Sequence, residues 1–188
     1  MKVLNCFAIL TYENKSAYYT TPKPAFLVLA LLTELEKHKL VEMDEKGRIS
    51  ICHASVSITP PLRLLTEIID KNKLCSVKEI IDFFLRKTTY KDLKSVIDAI
   101  MNNLCADMSI ISRSGEKYII TDEAVREAHG SFILMLTKGP DINDGIILAS
   151  LLYGCNLLNN YMDKDEYKST TALIKNGVIM DDCQVASF

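Results

Sequence analysis

Three histidines, His38, His53 and His129, are all that the chain has for imidazole chemistry, and their neighbours decide what they could do. His38 lies between Lys37 and Lys39 at the end of an apolar run, where it reads as a surface residue at a helix end rather than a general base. Cys52-His53 sets two metal-ligand types side by side. Adjacent strand residues point to opposite faces, however, and no second ligand pair follows. His129, beside Gly130, reads as a solvated helix residue. Acidic residues gather at Asp163, Asp165 and Glu166 and at Asp181-Asp182 without the spacing of a calcium loop. There is no glycine-rich phosphate loop, GxSxG or HExxH. These residue types and spacings support no catalytic centre, no metal and no cofactor, so the chain is expected not to be an enzyme.

One cluster has a different chemistry. Arg86, Lys87, Lys91 and Lys94 gather before and along the first turns of a helix expected over Tyr90 to Leu104. Basic side chains beside the exposed N–H groups of a helix start suit a phosphate. Asp82 and Asp92 are interleaved, so the same residues also read as a solvated, mixed-charge face.

The element that must hold such a face in place is the stretch PKPAFLVLALLTELEKHKLVEMDEKGRISI, residues 22–51. Pro22 and Pro24 bias the residues before them toward extended geometry, which predicts a helix from about Ala25. Phe26, Leu27, Leu29, Ala30, Leu31, Leu32 and Leu35 leave it almost no polar face, the mark of a core helix. Thr33 and Glu34 interrupt the run well short of the ~20 residues that a membrane-spanning helix needs. Val41 to Ile51 then reads as a hairpin around Asp44-Glu45-Lys46-Gly47-Arg48, with Gly47 free to take positive φ.

A length of 188 residues suits one well-packed domain, and 48% apolar content with a mean hydropathy of +0.11 implies a large core or an apolar contact surface. Net charge −2 and a pI near 5.9 give no global attraction to nucleic acid or to an anionic membrane. Any such binding must come from a local patch. Cys6, Cys52, Cys75, Cys105, Cys155 and Cys183 form no CxxC pair and read as reduced, mostly buried thiols of a cytoplasmic protein, with Cys105 and Cys155 inside helices. The opening MKVLNCFAIL lacks a small-residue cleavage pattern after it and reads as a short helix or strand.

Along the chain, the tyrosines of ENKSAYYTT are placed to cap the core helix, and Pro60-Pro61 sets up a helix from Leu62 to Asn72 through Leu64, Leu65, Ile68 and Ile69. Ser76 and Glu79 form a capping box for the next helix. The helix over Tyr90 to Leu104 leads into a second hairpin, from Ser109-Ile110-Ile111 to Tyr118-Ile119-Ile120 around Gly115, so helix plus hairpin recurs at an offset of about 69 residues. Thr121 opens a helix to Leu136, and Lys138-Gly139-Pro140 breaks it. Asp141 to Tyr161 reads as one helix, with Ala149, Ser150 and Gly154 allowing close approach of another. Asp165 to Lys175 follows, ending at Asn176-Gly177, and a tail begins at about residue 178. Leu31, Leu32, Leu35, Ile100, Leu104, Leu148 and Leu151 are expected to share one core. The predicted fold is mainly α: a compact multi-helix domain over residues 1–188 around a central buried helix, with two short β-hairpins at its edge.

The segment ALLTELEKHKLVEMDEKGRISI resembles the signature of the Golgi phosphoprotein 3 family, in which LLxELxxxGxI runs into strand, turn and strand. Leu31, Leu32, Glu34, Leu35 and Leu40 carry the match. PLRLLTEII, LKSVIDAIMNNLCADMSII and GIILASLLYGCNLLNNYMDKDEYKSTTALIK extend the similarity in order over about Leu4 to Lys175. The resemblance implies a non-catalytic module and, for eukaryotic members, a basic pocket for phosphatidylinositol 4-phosphate made by a Trp, an Arg at the start of the core helix and two Arg on a later helix. This chain has no Trp. The first Arg falls on or near Leu27, with Lys23 the nearest cation, and the pair falls on Lys94 and Ile97. The head-group residues that the resemblance leaves are therefore Lys94, Lys91 and Lys23, a weak set because Lys lacks the bidentate fork of Arg. The short hairpin, without the basic insertion of eukaryotic members, looks like a prokaryotic form. The implied partners are anionic lipid head groups, bound weakly at a membrane periphery, and also protein tails or self-association.

A second reading is a winged-helix DNA-binding regulator, since each helix plus hairpin resembles a recognition helix and wing. Against it, Ser95 to Leu104 is largely apolar and carries no cation, with Asp98 where a base reader would need Arg, Asn or Gln. Nucleic acid is thus an unexpected partner. Binding to non-specific duplex DNA followed over a salt series separates the two: a lipid module shows no appreciable affinity, and steep loss of real affinity with salt would establish the regulator.

Overall fold

The computed structural model describes residues 2–13, 23–46, 48–52, 58–107, 111–114, 117–137 and 142–175. Over these it is mainly helical, with two antiparallel two-stranded hairpins. The expected Gly47 and Gly115 turns, the Tyr18 and Tyr19 caps, His53, Ser109 and Ile110, the Lys138-Gly139-Pro140 break, the Asn176-Gly177 stop, Asp181-Asp182, Cys183 and the tail lie outside the described residues.

The first helix, α1 (Val3–Glu13), takes the α form of the two that its sequence allows. Val3, Cys6, Phe7, Ala8, Ile9 and Leu10 are all wholly buried, so it is apolar on every side. Its one buried hydroxyl, on Thr11, donates to the Phe7 carbonyl 2.7 Å away within the same helix. Helix α2 (Lys23–Lys37) packs along it and buries Leu27, Val28, Ala30, Leu31 and Leu35. It starts two residues before the expected Ala25. Pro24 occupies the first turn, where a missing N–H breaks no helical bond. At its other end Lys39 takes positive φ (54°), and the Leu40 N–H donates to the Leu35 carbonyl at 2.9 Å.

Strands β1 (Val41–Met43) and β2 (Ile49–Ile51) pair with Val41 opposite Ile51. Asp44 organises their turn, its carboxylate accepting from the backbone N–H of Lys46 and Arg48 and from Arg48 Nε at 2.7 Å. The hairpin is tied onward by the Ile49 N–H, which donates to the Cys75 carbonyl at 2.7 Å. Helix α3 (Pro60–Asn72) begins two residues earlier than Leu62 because both prolines are accommodated in its first turn. Helix α4 (Val77–Leu85) starts from the expected box: Ser76 Oγ accepts from the Glu79 N–H at 3.2 Å. The Glu79 carboxylate accepts from the Cys75 N–H at 2.7 Å, one residue before the usual partner.

A single 3₁₀ turn, Lys87–Thr89, links α4 to α5 (Tyr90–Asp107), which buries Leu93, Val96, Ile97, Ile100, Met101 and Leu104. Strands β3 (Ile111–Ser114) and β4 (Lys117–Ile120) pair with Ile111 opposite Ile120, giving the second helix plus hairpin. Thr121 Oγ1 caps α6 (Asp122–Thr137) by accepting from the Ala124 N–H. Helix α7 (Ile142–Gly154) stops seven residues before the expected Tyr161. Asn156 takes positive φ (56°), its N–H donates to the Tyr153 carbonyl, and the Leu157 N–H donates to the Leu152 carbonyl. This is the glycine-type helix stop, made here with Asn. Helix α8 (Lys164–Lys175) follows a short 3₁₀ turn.

All seven residues expected in one core lie there, with residues from α1 through α8. The centre is a pair of helices rather than α2 alone. Helix α1 packs on α2, α5, α6, α7 and β4, and α2 on α1, α3, α4, α7 and β1. Gly154 sits against the Phe26 ring, where a Cβ would come within 2.2 Å of ring carbons, which fulfils the expected close approach.

Gly145 faces backbone rather than a side chain, since a Cβ there would lie 2.7 Å from the Leu136 nitrogen and the Met135 carbonyl carbon of α6. Gly145→Ala is therefore expected to lower stability by about 1–3 kcal/mol, despite the better helix propensity of Ala. In α6, a Cβ on Gly130 would have no neighbour within 4 Å, so Gly130→Ala should raise stability by about 0.5–1 kcal/mol. Urea midpoints of the two variants check both signs.

Candidate functional site

Lys91 and Lys94 lie one turn apart on the outer side of the first two turns of α5, both exposed, with exposed Arg86 just before the 3₁₀ turn. Neither lysine forms an ion pair among the described residues. The connector that presents them is fixed locally. Thr89 Oγ1 donates to the carbonyls of Phe83 and Arg86, and the Thr89 N–H also donates to Arg86. Asp82 and Asp92 are half-buried. Lys23 is the first residue of α2. The positions that the resemblance assigns to further cations are core positions: Leu27 is wholly buried and Ile97 nearly so. A charge at either would be paid for by desolvation, which leaves the surface lysines as the cationic groups of this face.

Further along α5, the side chains hold the second hairpin. The Tyr118 hydroxyl donates to Asn102 Oδ1 at 3.1 Å, with Asp98 Oδ1 3.4 Å away, and the Arg113 guanidinium lies 5.6 Å from the centre of the Tyr118 ring. Burial first, and then the Asp98 carboxylate, push the Tyr118 phenol above its usual pKa.

The remaining chemistry-bearing residues are used structurally. His38 is exposed at the end of α2, 3.9 Å from the buried Glu34 carboxylate. His129 is not the solvated residue expected. It is half-buried, and Nε2 stands 2.7 Å from the Tyr161 carbonyl, an oxygen that can only accept, so Nε2 carries the hydrogen. Asp163, Asp165 and Glu166 form a helix cap. Asp163 Oδ1 accepts from the N–H of Asp165 and of Glu166, and Glu166 Oε2 accepts from the Asp163 N–H. No group of three His, Cys, Asp or Glu that could hold a metal ion occurs among the described residues.

The thiols depart in part from expectation. Cys6 and Cys155 are buried, Cys52 and Cys105 are half-buried, and Cys75 is exposed in the α3–α4 connector. Cys155 lies in the turn after α7 rather than within the helix, because the chain leaves helical geometry at Gly154. Burial raises the pKa of Cys6, Cys52 and Cys105, the reverse of nucleophile activation.

One concavity was missed by the sequence reasoning. A cleft of about 300 Å³ opens between the end of α7 and α8, lined by Tyr153, Asn156, Leu158, Asn159 and Tyr167. It exists because α7 stops early. Gly154 followed by Asn156 is the signal that could have located that stop.

Compared with protein-family models, curated proteins and solved structures, the chain matches none.

Burial pushes the Cys6 thiol up to about 12 from an ordinary value of 9.0. The folded chain thus holds this proton more tightly than the unfolded one. Its contribution to stability is complete below about pH 9 and is lost as pH rises from there toward 12. Urea unfolding across that range should show a steeper alkaline loss for the natural chain than for Cys6→Ala, and equal slopes would count against the burial argument.

Proposed function

We propose that the chain is a non-catalytic binding module that meets anionic lipid head groups weakly, at a membrane surface, through the basic head of α5. The observation that carries this reading is the geometry of Lys91 and Lys94: exposed, one turn apart, without a carboxylate partner among the described residues, and followed by a helix buried along its other side. No described helix is long and apolar enough to cross a membrane, so contact through these residues is peripheral. The likeness to the Golgi phosphoprotein 3 family supports the same direction. Protein tails and self-association stand beside lipid as partners of such a module.

Magnitudes set the affinity. Each Lys or Arg near an anionic surface contributes about 1 kcal/mol, so Arg86, Lys91 and Lys94 together supply about 3 kcal/mol, weaker than millimolar and sensitive to salt. Without Trp, and with Leu27 and Ile97 in the core, no described residue of this face would select one phosphoinositide over another anionic head group. The winged-helix reading finds less support. Asn102, the α5 side chain best suited to a base edge, is engaged with Arg113 and Tyr118.

Liposome sedimentation tests the proposal. Vesicles rich in phosphatidylserine and vesicles carrying phosphatidylinositol 4-phosphate should bind alike at low salt, and both should release the protein as salt rises. Lys91→Ala/Lys94→Ala should weaken binding by about 30-fold, the equivalent of two surface charges. Absence of binding at low salt would overturn the lipid reading and leave a protein partner. Tight, head-group-selective binding would overturn its weakness.

A further inference from the structure

We propose that the cleft between α7 and α8 is a carbohydrate site that takes one neutral pyranose unit. It is lined by the half-buried Tyr153 and Tyr167, the buried Leu158, and the exposed Asn156 and Asn159. The phenol oxygens and both carboxamides make no hydrogen bond among the described residues, so four polar groups face the cleft with donors and acceptors to spare.

The ligand class follows from charge, shape and size. Among the described residues no ionisable Lys, Arg, Asp, Glu or His lines the cleft, so an ion would lose hydration there without a counter-charge from them. The ring centroids are 6.5 Å apart and the planes are inclined at 42°. A planar base held between two rings needs them parallel and about 7 Å apart, twice the ~3.5 Å contact distance. At 6.5 Å the two tilted rings contact one another, so they form a single angled wall with no slot for a base between them. A puckered ring can lay its C–H face on that wall and turn its hydroxyls toward the two carboxamides. Each carboxamide offers a donor and an acceptor side by side, the complement of two neighbouring hydroxyls. A volume of about 300 Å³ stands at the small end of ligand sites, enough for a single sugar ring.

The site is also held rigidly. Asn156 is fixed in left-handed geometry by the α7 stop, and Tyr167 follows the Asp163 cap in the first turn of α8, its N–H donating to the Asp163 carbonyl at 2.9 Å. It involves none of the basic residues at the head of α5, so the two activities are separable.

Saturation-transfer NMR tests this with the natural chain and methyl α-glucopyranoside, methyl α-mannopyranoside, methyl β-galactopyranoside or N-acetylglucosamine at about 10 mM, a level suited to the millimolar affinity of so small a contact. Adenosine and tetramethylammonium serve as the planar and cationic comparisons. At least one pyranose should receive saturation, independently of salt. Asn159→Ala should reduce its affinity by about fivefold, the equivalent of one neutral hydrogen bond, as should Asn156→Gly, which keeps the left-handed turn. Tyr167→Phe should retain the ring contact, and Tyr167→Ala should abolish the signal. Melting curves establish that each variant is folded, and Asn159, exposed in its turn, is the one least able to disturb folding. No saturation of any pyranose, preference for adenosine or tetramethylammonium, or a sugar signal that survives both Asn159→Ala and Tyr167→Ala would overturn the assignment.

Discussion

Helix α1 is apolar nearly all round, with only Asn5 and Tyr12 partly exposed among its described side chains, and much of the rest of the fold covers it. Six of its residues are wholly buried, and they lie all round the helix. A helix of this kind gains nothing by lying on a surface; it needs neighbours in every direction. Helices α2, α5, α6 and α7 supply them, with β4 at one end. Polar anchors then fix how those neighbours sit. The Tyr161 hydroxyl donates to the Leu10 carbonyl at 2.6 Å, while the Tyr161 carbonyl accepts from His129, so one residue in the α7–α8 connector joins α1 to α6.

This arrangement also decides where charge can stand. Leu27 and Ile97 face the core, and Lys91 and Lys94 of α5 stand on its outer side. The lysines there are presented by a helix whose other side is occupied in holding α3, α4 and the second hairpin. The basic face and the α7–α8 cleft accordingly have different origins. One is a row of charges laid over a finished core, and the other is a gap left where a helix ends early.

Much of this was legible in the sequence because it rests on local chemistry. The Ser76-Glu79 box, the Thr121 cap, the apolar stripes of α3 and α5 and both hairpins have signatures within a few residues, and the structure contains them. Where sequence reasoning missed, the deciding interaction was at the scale of the whole molecule or ran against habit. Pro24 and Pro60 were read as standing before helices, but a first turn admits proline. Asn156 does what glycine usually does, so the stop of α7 was hidden within an apolar run that continues through Leu157 and Leu158. The weight of α1 was understated because nothing in a helix's own sequence tells how many others will surround it. The basic cluster was visible as residue types, and the cleft was not, since Tyr153 and Tyr167 meet only through that unannounced turn.

The burial of α1 sets a timetable for biosynthesis. Two of the helices that cover it, α6 and α7, follow more than a hundred residues later in the chain. At translation rates of about 5–20 residues per second, an apolar segment with no hydrophilic face waits on the order of ten seconds for its cover to emerge. During that interval it offers an adhesive surface to whatever is near. A fold whose innermost helix precedes its cover in the chain cannot close until that cover has been made, so what shields the helix in the meantime matters to its yield alongside the stability of the finished structure.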